Sequence, residues 1–261
     1  MKLKRMNKNL QKYPLFFNSV FLLLLHLPFV FAKSVGHKLK NNPSNNQPVI
    51  ISSAPLPENS VNPIATRLNV FDSLHLNLNG LSKNIFEMAV KGMQKLKEAG
   101  IVLTDNIISI ADFSQPSSSK RLYIIDLNSY SLLFQTYVAH GQKSGKEYAE
   151  KYSNLSNSFK SSPGFYVTMN PYMGNNGFSL KINGVEKGIN NNALSRDIVI
   201  HGADYVNETL IQEQGYIGRS QGCPAVPKQL KRSIIETIKN GTCLFIFPGQ
   251  SSYLQKSVVL N

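Results

Sequence analysis

Beyond Gly100 the apolar residues stop recurring every three or four positions and fall into short runs separated by turn formers. That shortening of the period restricts the chain to a mainly β fold with a few helices. Ile107-Ile108-Ser109-Ile110-Ala111-Asp112, Arg121-Leu122-Tyr123-Ile124-Ile125-Asp126 and Leu132-Leu133-Phe134-Gln135-Thr136-Tyr137-Val138 are predicted strands, with Asn128-Ser129 as the tight connection between the last two. Gly164 to Met169, Phe178 to Ile182, Asp197 to Ile200 and Cys243 to Phe247 add four more. The Ser-, Lys- and Asn-rich stretch from Gly141 to Ser162 is expected to be a loop that hangs over a site.

The helices are set by caps and stripes. Between Lys83 and Ala99, Ile85, Ala89, Met93 and Leu96 form one apolar stripe with Phe86 and Val90 beside it, Ser82 stands at the N-cap and Gly100 at the end. Asn207 is placed to cap a short helix from Glu208 to Gln214. A third is expected from about Lys228 to Lys239, with Pro227 near its first turn and Gly241 past its end.

The N-terminal stretch has a different character. Lys2, Lys4, Arg5, Lys8 and Lys12 precede an apolar run from Leu15 to Ala32 that Asn18, His26 and Pro28 interrupt. This is the pattern of a signal peptide, cleaved after Ala32 or kept as an N-terminal anchor, and either outcome puts the domain outside the cytoplasm. The expected organisation is a signal peptide over 1–32, a flexible Asn/Ser/Pro-rich linker over 33–62, a helical segment over 63–106 packing on the catalytic domain, and that domain over 107–250. Removing the leader takes five of the 28 Lys and Arg residues, so 23 remain against 15 Asp and Glu. A basic surface suits an anionic envelope or an acidic substrate. Nucleic acid is not an expected partner, because no basic stripe interleaved with aromatics and no recognition helix is present.

Two cysteines in an exported chain invite a disulfide. Here Cys243 lies inside an apolar strand, where a thiol behaves as a small hydrophobe, and Cys223 lies in a Gly- and Pro-flanked loop, so the local sequences argue against one. Arg219-Ser220-Gln221-Gly222-Cys223-Pro224 has what a nucleophilic thiol needs: Gly222 permits close approach of the backbone, Pro224 stiffens the exit, and amides of Gly222 and Cys223 are oxyanion candidates. His201, expected where the Asp197 to Ile200 strand ends, is the candidate general base. Alone, each reads equally as a buried thiol or a satisfied polar residue; apolar strand, His-Gly, then Ser-x-Gly-Cys points to a nucleophile and base pair. The order His before Cys separates it from the papain-type and NlpC/P60-type peptidases, where Cys comes first. No metal or other cofactor is implied, since the histidines show no paired ligand spacing and no Cys-x-x-Cys or phosphate loop occurs.

These residues resemble the YkuD-type L,D-transpeptidases, and most closely the murein L,D-transpeptidase catalytic domain subgroup. The likeness runs from about Arg121 to Pro248 and includes Val138-Ala139-His140-Gly141, Ser162-Pro163-Gly164-Phe165-Tyr166, Asn183-Gly184, Arg196, Ile200-His201-Gly202-Ala203-Asp204-Tyr205 and Gly218 to Pro227. It implies a mainly β catalytic fold acting on peptidoglycan stem peptides in the periplasm or cell envelope, through a Cys223 thioester with His201 as base. An amine of another stem, or of an envelope protein, accepts the acyl group. With water as acceptor the same site is an L,D-carboxypeptidase, and without chemistry it is a cell-wall-binding protein. Ser220 is expected to orient His201 or the loop. Arg219 and Arg196 either bind a stem carboxylate or are solvated or structural, Tyr205 and Asp204 line the site or pack beside it, and His140 is assigned a structural, hydrogen-bonding role. Many relatives carry His before the Gly-Cys pair and Arg or Asn two residues after the Cys; here those positions are Gln221 and Ala225.

Overall fold

The computed structural model describes residues 63–261. The expected signal peptide and linker lie outside the described residues. Two helices, α1 (Pro63–Ser73) and α2 (Lys83–Glu98), precede strands β1 (Ile107–Asp112), β2 (Leu122–Asp126), β3 (Ser131–Thr136), β4 (Gly164–Gly174), β5 (Gly177–Gly184) and β6 (Val199–Ala203). Then come α3 (Glu208–Gln214), β7 (Ala225–Pro227), α4 (Lys231–Ile238), β8 (Cys243–Phe247) and α5 (Ser251–Lys256).

All eight strands join one sheet in the order β3-β2-β1-β8-β4-β5-β6-β7. The β1–β8 and β6–β7 pairs are parallel and the rest antiparallel. Beyond the end of β3, Ala139 bridges Ala225 of β7, which brings the two edges of the sheet together and nearly closes it into a barrel.

The central strands are apolar throughout because both of their faces are covered. Along β8, Cys243 and Phe245 turn toward α1 and α2, in one core with Ile108, Ile110, Tyr123 and Phe165. Leu244 and Ile246 turn the other way, toward Ile234, Ile235 and Ile238 of α4. The whole α2 stripe anticipated from period, Ile85 to Leu96, is buried in the first core. Ser82 occupies the N-cap with extended dihedrals, but its hydroxyl makes no capping hydrogen bond. Asn207 does cap α3: its Oδ1 accepts from the Leu210 N–H at 2.9 Å.

Two expectations about local structure need correction, and a third is sharpened. The strand that carries His201 does not stop before it but runs on through Gly202 to Ala203. The last expected helix starts at Lys231 rather than Lys228, because Ala225, Val226 and Pro227 are drawn into β7 by pairing with β6. The 141–162 stretch has no regular structure but is pinned at its base: Ser144, Ser161 and Ser162 are buried.

Candidate active site

Sheet register sets the turn that holds Cys223 against the start of β6, the strand that carries His201. His201 lies opposite Ala225 in the parallel β6–β7 pair, followed by Gly202 opposite Val226 and Ala203 opposite Pro227. Two residues back along both chains, Cys223 faces Val199, and the Val199 N–H donates to the Cys223 Sγ at 3.5 Å. The thiol thus sits against the Asp197–Val199 backbone, two residues before His201 on β6. The thiol S–H has the Asp197 carbonyl at 3.6 Å. Cys223 is partly accessible and Cys243 is buried, and both are free thiols.

His201 is only 6% exposed. Its Nδ1–H donates to the Gly202 carbonyl at 3.2 Å, which selects the tautomer whose Nε2 keeps a lone pair. Burial pushes the imidazole pKa down, and the nearby Lys231 ammonium adds to this against the opposing Gly202 bond. Burial pushes the Cys223 thiol up, opposed by the Val199 N–H and the Arg196 cation. Both shifts favour the uncharged forms, a neutral imidazole at His201 and a thiol at Cys223.

The loop before the sulfur is a turn closed by Ser220. Its Oγ donates to the Cys223 carbonyl at 2.6 Å and accepts from the Gly222 N–H at 3.0 Å. Ser220 thus shapes the loop and makes no bond to His201. The Gly222 amide, one of two oxyanion candidates read from sequence, is engaged within this turn, so the Cys223 amide beside the sulfur is the better placed. Gly222 has φ +126°, and a β-carbon there would stand 2.8 Å from the Lys160 carbonyl oxygen, so glycine is required on both counts. From the other side the chain after β3 clamps this turn. The Ser220 N–H donates to the His140 carbonyl at 2.9 Å, and the Gln142 N–H donates to the Ser220 carbonyl at 2.7 Å.

A family model described as the L,D-transpeptidase catalytic domain matches residues 77–247, taking in α2, His201 and Cys223. The chain belongs to the L,D-transpeptidase catalytic domain family. Solved structures similar to it include an L,D-transpeptidase from Mycobacterium smegmatis, 10% identical over 54% of this chain and 58% of that one, with a TM-score of 0.33. The helical cell shape determining protein Pgp2 from Campylobacter jejuni is 16% identical over 66% of this chain and 61% of that one, with a TM-score of 0.37. L,D-transpeptidase 3 from Mycobacterium tuberculosis is 10% identical over 54% and 60%, with a TM-score of 0.33. The chain thus spans 58% to 61% of the length of these three. No curated protein matches it.

Within this L,D-transpeptidase domain the candidate substrate-binding residues separate. Arg196 is committed to the protein: Nη1 donates to the Ser153 carbonyl at 2.8 Å and to Ser162 Oγ, and Nη2 donates to the Lys160 carbonyl at 2.7 Å and Ser158 Oγ at 3.2 Å. With both of its terminal nitrogens saturated, it is a loop clasp and not a free carboxylate binder. Arg219 donates to the Gly145 carbonyl at 3.1 Å, lies over the Tyr216 ring, and keeps part of its guanidinium accessible beside a hollow lined by residues 142–148. Tyr205 is half-buried at the site. Burial and the nearby Cys223 push its phenol up to about 12, and its ring packs where a side chain at Gly218 would have to go. Asp204 points outward, where its carboxylate accepts from Lys228 at 2.7 Å.

His140 is fully buried. Arg121, also fully buried, donates to its Nδ1 at 2.8 Å, so Nε2 carries the proton toward the Gly145 carbonyl at 3.4 Å. A second buried polar group escaped sequence reading altogether. Glu186 accepts from the Phe165 N–H at 2.8 Å, from the Tyr253 hydroxyl at 3.0 Å and from the Ser257 hydroxyl, tying α5 to the start of β4. An acidic residue in a polar turn gives no sequence signal of burial. Among the described residues no group of three or more His, Cys, Asp or Glu is placed to hold a metal ion.

Proposed function

We propose that this chain is an exported L,D-transpeptidase in which Cys223 is the nucleophile and His201 its general base. The observation that supports the proposal is that Cys223 Sγ is held at the Val199 N–H, two residues before His201 on β6, whose imidazole the Gly202 carbonyl keeps in one tautomer. Cys223 Sγ attacks the carbonyl carbon of the L,D-peptide bond in a peptidoglycan tetrapeptide while His201 Nε2 takes the thiol proton. The tetrahedral oxyanion lies against the Cys223 amide. As it collapses, His201 returns the proton to the departing D-alanine amine and a thioester remains. An amine of a second stem, or of an envelope protein, then attacks the thioester, with His201 removing its proton and returning it to the sulfur.

Residues 1–32 supply the export signal in this scheme, and the basic surface of the mature chain suits the acidic wall. Partly accessible Arg219 is the candidate contact for a stem carboxylate, with Tyr205 beside the thiol.

The test is to treat purified sacculi with the wild type and with Cys223→Ala and to compare the digested muropeptides. New L,D-cross-links with the wild type alone are expected. Tetrapeptide trimming without cross-links assigns the carboxypeptidase instead, and identical profiles from both forms rule out Cys223 chemistry.

A further inference from the structure

Residues 153–162 form a strap whose carbonyl groups back the nucleophile turn. Ser161 Oγ accepts from the Gly141 N–H at 3.0 Å and donates to the Gly222 carbonyl at 3.2 Å, and the Lys160 and Phe159 carbonyl oxygens press against Gly222 and Gly141. The strap does not hold this shape by local preference. Asn157 and Phe159 both have φ +55°, a left-handed conformation that a phenylalanine rarely adopts, and Leu155 at its tip is 72% exposed. What over-determines it is Arg196, which ends a short 3-10 turn just before β6 and spreads its two terminal nitrogens over Ser153, Ser158, Lys160 and Ser162. The planar guanidinium is suited to this, since its donors leave in fixed directions that an ammonium cannot copy.

Resting on the reading of Cys223 as nucleophile, we infer that Arg196 is a positioning residue for that reaction: it locks the 153–162 strap, and through it the Gly222 backbone, against the thiol and keeps a cation beside the sulfur. The charged and titratable groups coupled to the sulfur are Arg196 and Asp197 from the turn before β6 and Tyr205 after that strand. Arg196 is the cation whose field at the sulfur opposes the effects of burial and of Asp197. One side chain therefore both builds the wall behind the nucleophile turn and favours the thiolate. A lysine at this position keeps the charge and loses the clasp; a methionine loses both.

The experiment uses the full chain and two readouts: the pH dependence of Cys223 alkylation by iodoacetamide, located by peptide mass, and limited proteolysis across the strap. Buried Cys243 is the internal control. For Arg196→Met, an apparent thiol pKa raised by about one unit, roughly tenfold slower alkylation at neutral pH, and new cleavage between residues 153 and 162 are expected. Arg196→Lys should restore most of the thiol pKa but not the protection of the strap. Ser158→Ala, which removes one clasp contact at the half-buried rim, should speed strap cleavage alone. A folded Arg196→Met protein with wild-type alkylation and cleavage overturns the inference and leaves the function reading intact. If that variant does not fold, unchanged cleavage of Ser158→Ala overturns it. Failure of Cys223 to react in the folded wild type overturns the function reading and this one with it.

Discussion

The Ser220 hydroxyl donates to the carbonyl of Cys223 at 2.6 Å while accepting from the Gly222 amide at 3.0 Å, so one side chain closes the turn that presents the sulfur. Replacing Ser220 by Ala leaves the Gly222 N–H and the Cys223 carbonyl without that partner in a largely buried turn, at a cost of about 1–3 kcal/mol in local order. The expected outcome is a fall in kcat/KM of roughly tenfold or more with a small change in Tm. Steady-state kinetics on a tetrapeptide muropeptide check this; unchanged kcat/KM refutes the role given to Ser220.

The pH profile follows from the directions in which the pair is shifted. Burial holds His201 below its ordinary value of 6.5 and holds the Cys223 thiol above its ordinary 9.0. With His201 as the proposed base, turnover requires its neutral form, so kcat/KM should rise with pH along an acid limb whose midpoint lies below 6.5. In His201→Asn no base is present, so the residual rate at neutral pH should drop by about 10²–10⁴. It should then rise only as the thiol itself ionises, above 9.0. An acid limb at or above the ordinary histidine value contradicts the tautomer and burial assigned to His201.

Stability should also carry a histidine signature, from His140. Burial, and then the Arg121 guanidinium beside it, holds its pKa down to about 3 against an ordinary 6.5. Between those values the unfolded chain binds a proton that the folded chain refuses, so stability present above 6.5 is lost as pH falls toward 3. The expected slope is about 1.4 kcal/mol per pH unit from this one group. Gln at position 140 keeps an acceptor for Arg121 and a donor for Gly145 without titrating. Urea unfolding of the wild type and His140→Gln across the acid range should show a difference that grows as pH falls, whereas parallel curves would remove His140 as the cause.

Gly164 begins β4 with φ +104°, and a β-carbon there would stand 2.2 Å from Glu186 Oε2. Gly164→Ala should therefore displace the buried carboxylate from the Phe165 amide, destabilising the fold by roughly 3 kcal/mol. Because Glu186 also holds Tyr253 and Ser257, cleavage of the C-terminal segment by protease should accelerate in the same variant. Urea midpoints together with mapped cleavage sites test this, and a wild-type midpoint would show that the Glu186 cluster tolerates displacement.

The sequence by itself determined whatever rests on near neighbours along the chain. Short apolar runs between turn formers marked β1, β2 and β8, the α2 stripe and the Asn207 cap were legible, and Ser-x-Gly-Cys after His-Gly pointed to the family, since these signals come from a residue's own dihedrals and from side chains a few positions away. What only the tertiary structure decided depends on register and on donors supplied from afar. β7 is three residues with no periodicity to read, yet its pairing with β6 sets Ala225 opposite His201 and leaves the Cys223 sulfur at the Val199 amide. Arg196 and Glu186 look in sequence like solvated charges. Which hydrogen bonds saturate them is fixed by residues 34 to 43 positions away for the arginine and up to 71 for the glutamate. A charged side chain advertises its charge in sequence but not its partners, and here the partners turned a presumed carboxylate binder into a clasp behind the nucleophile turn.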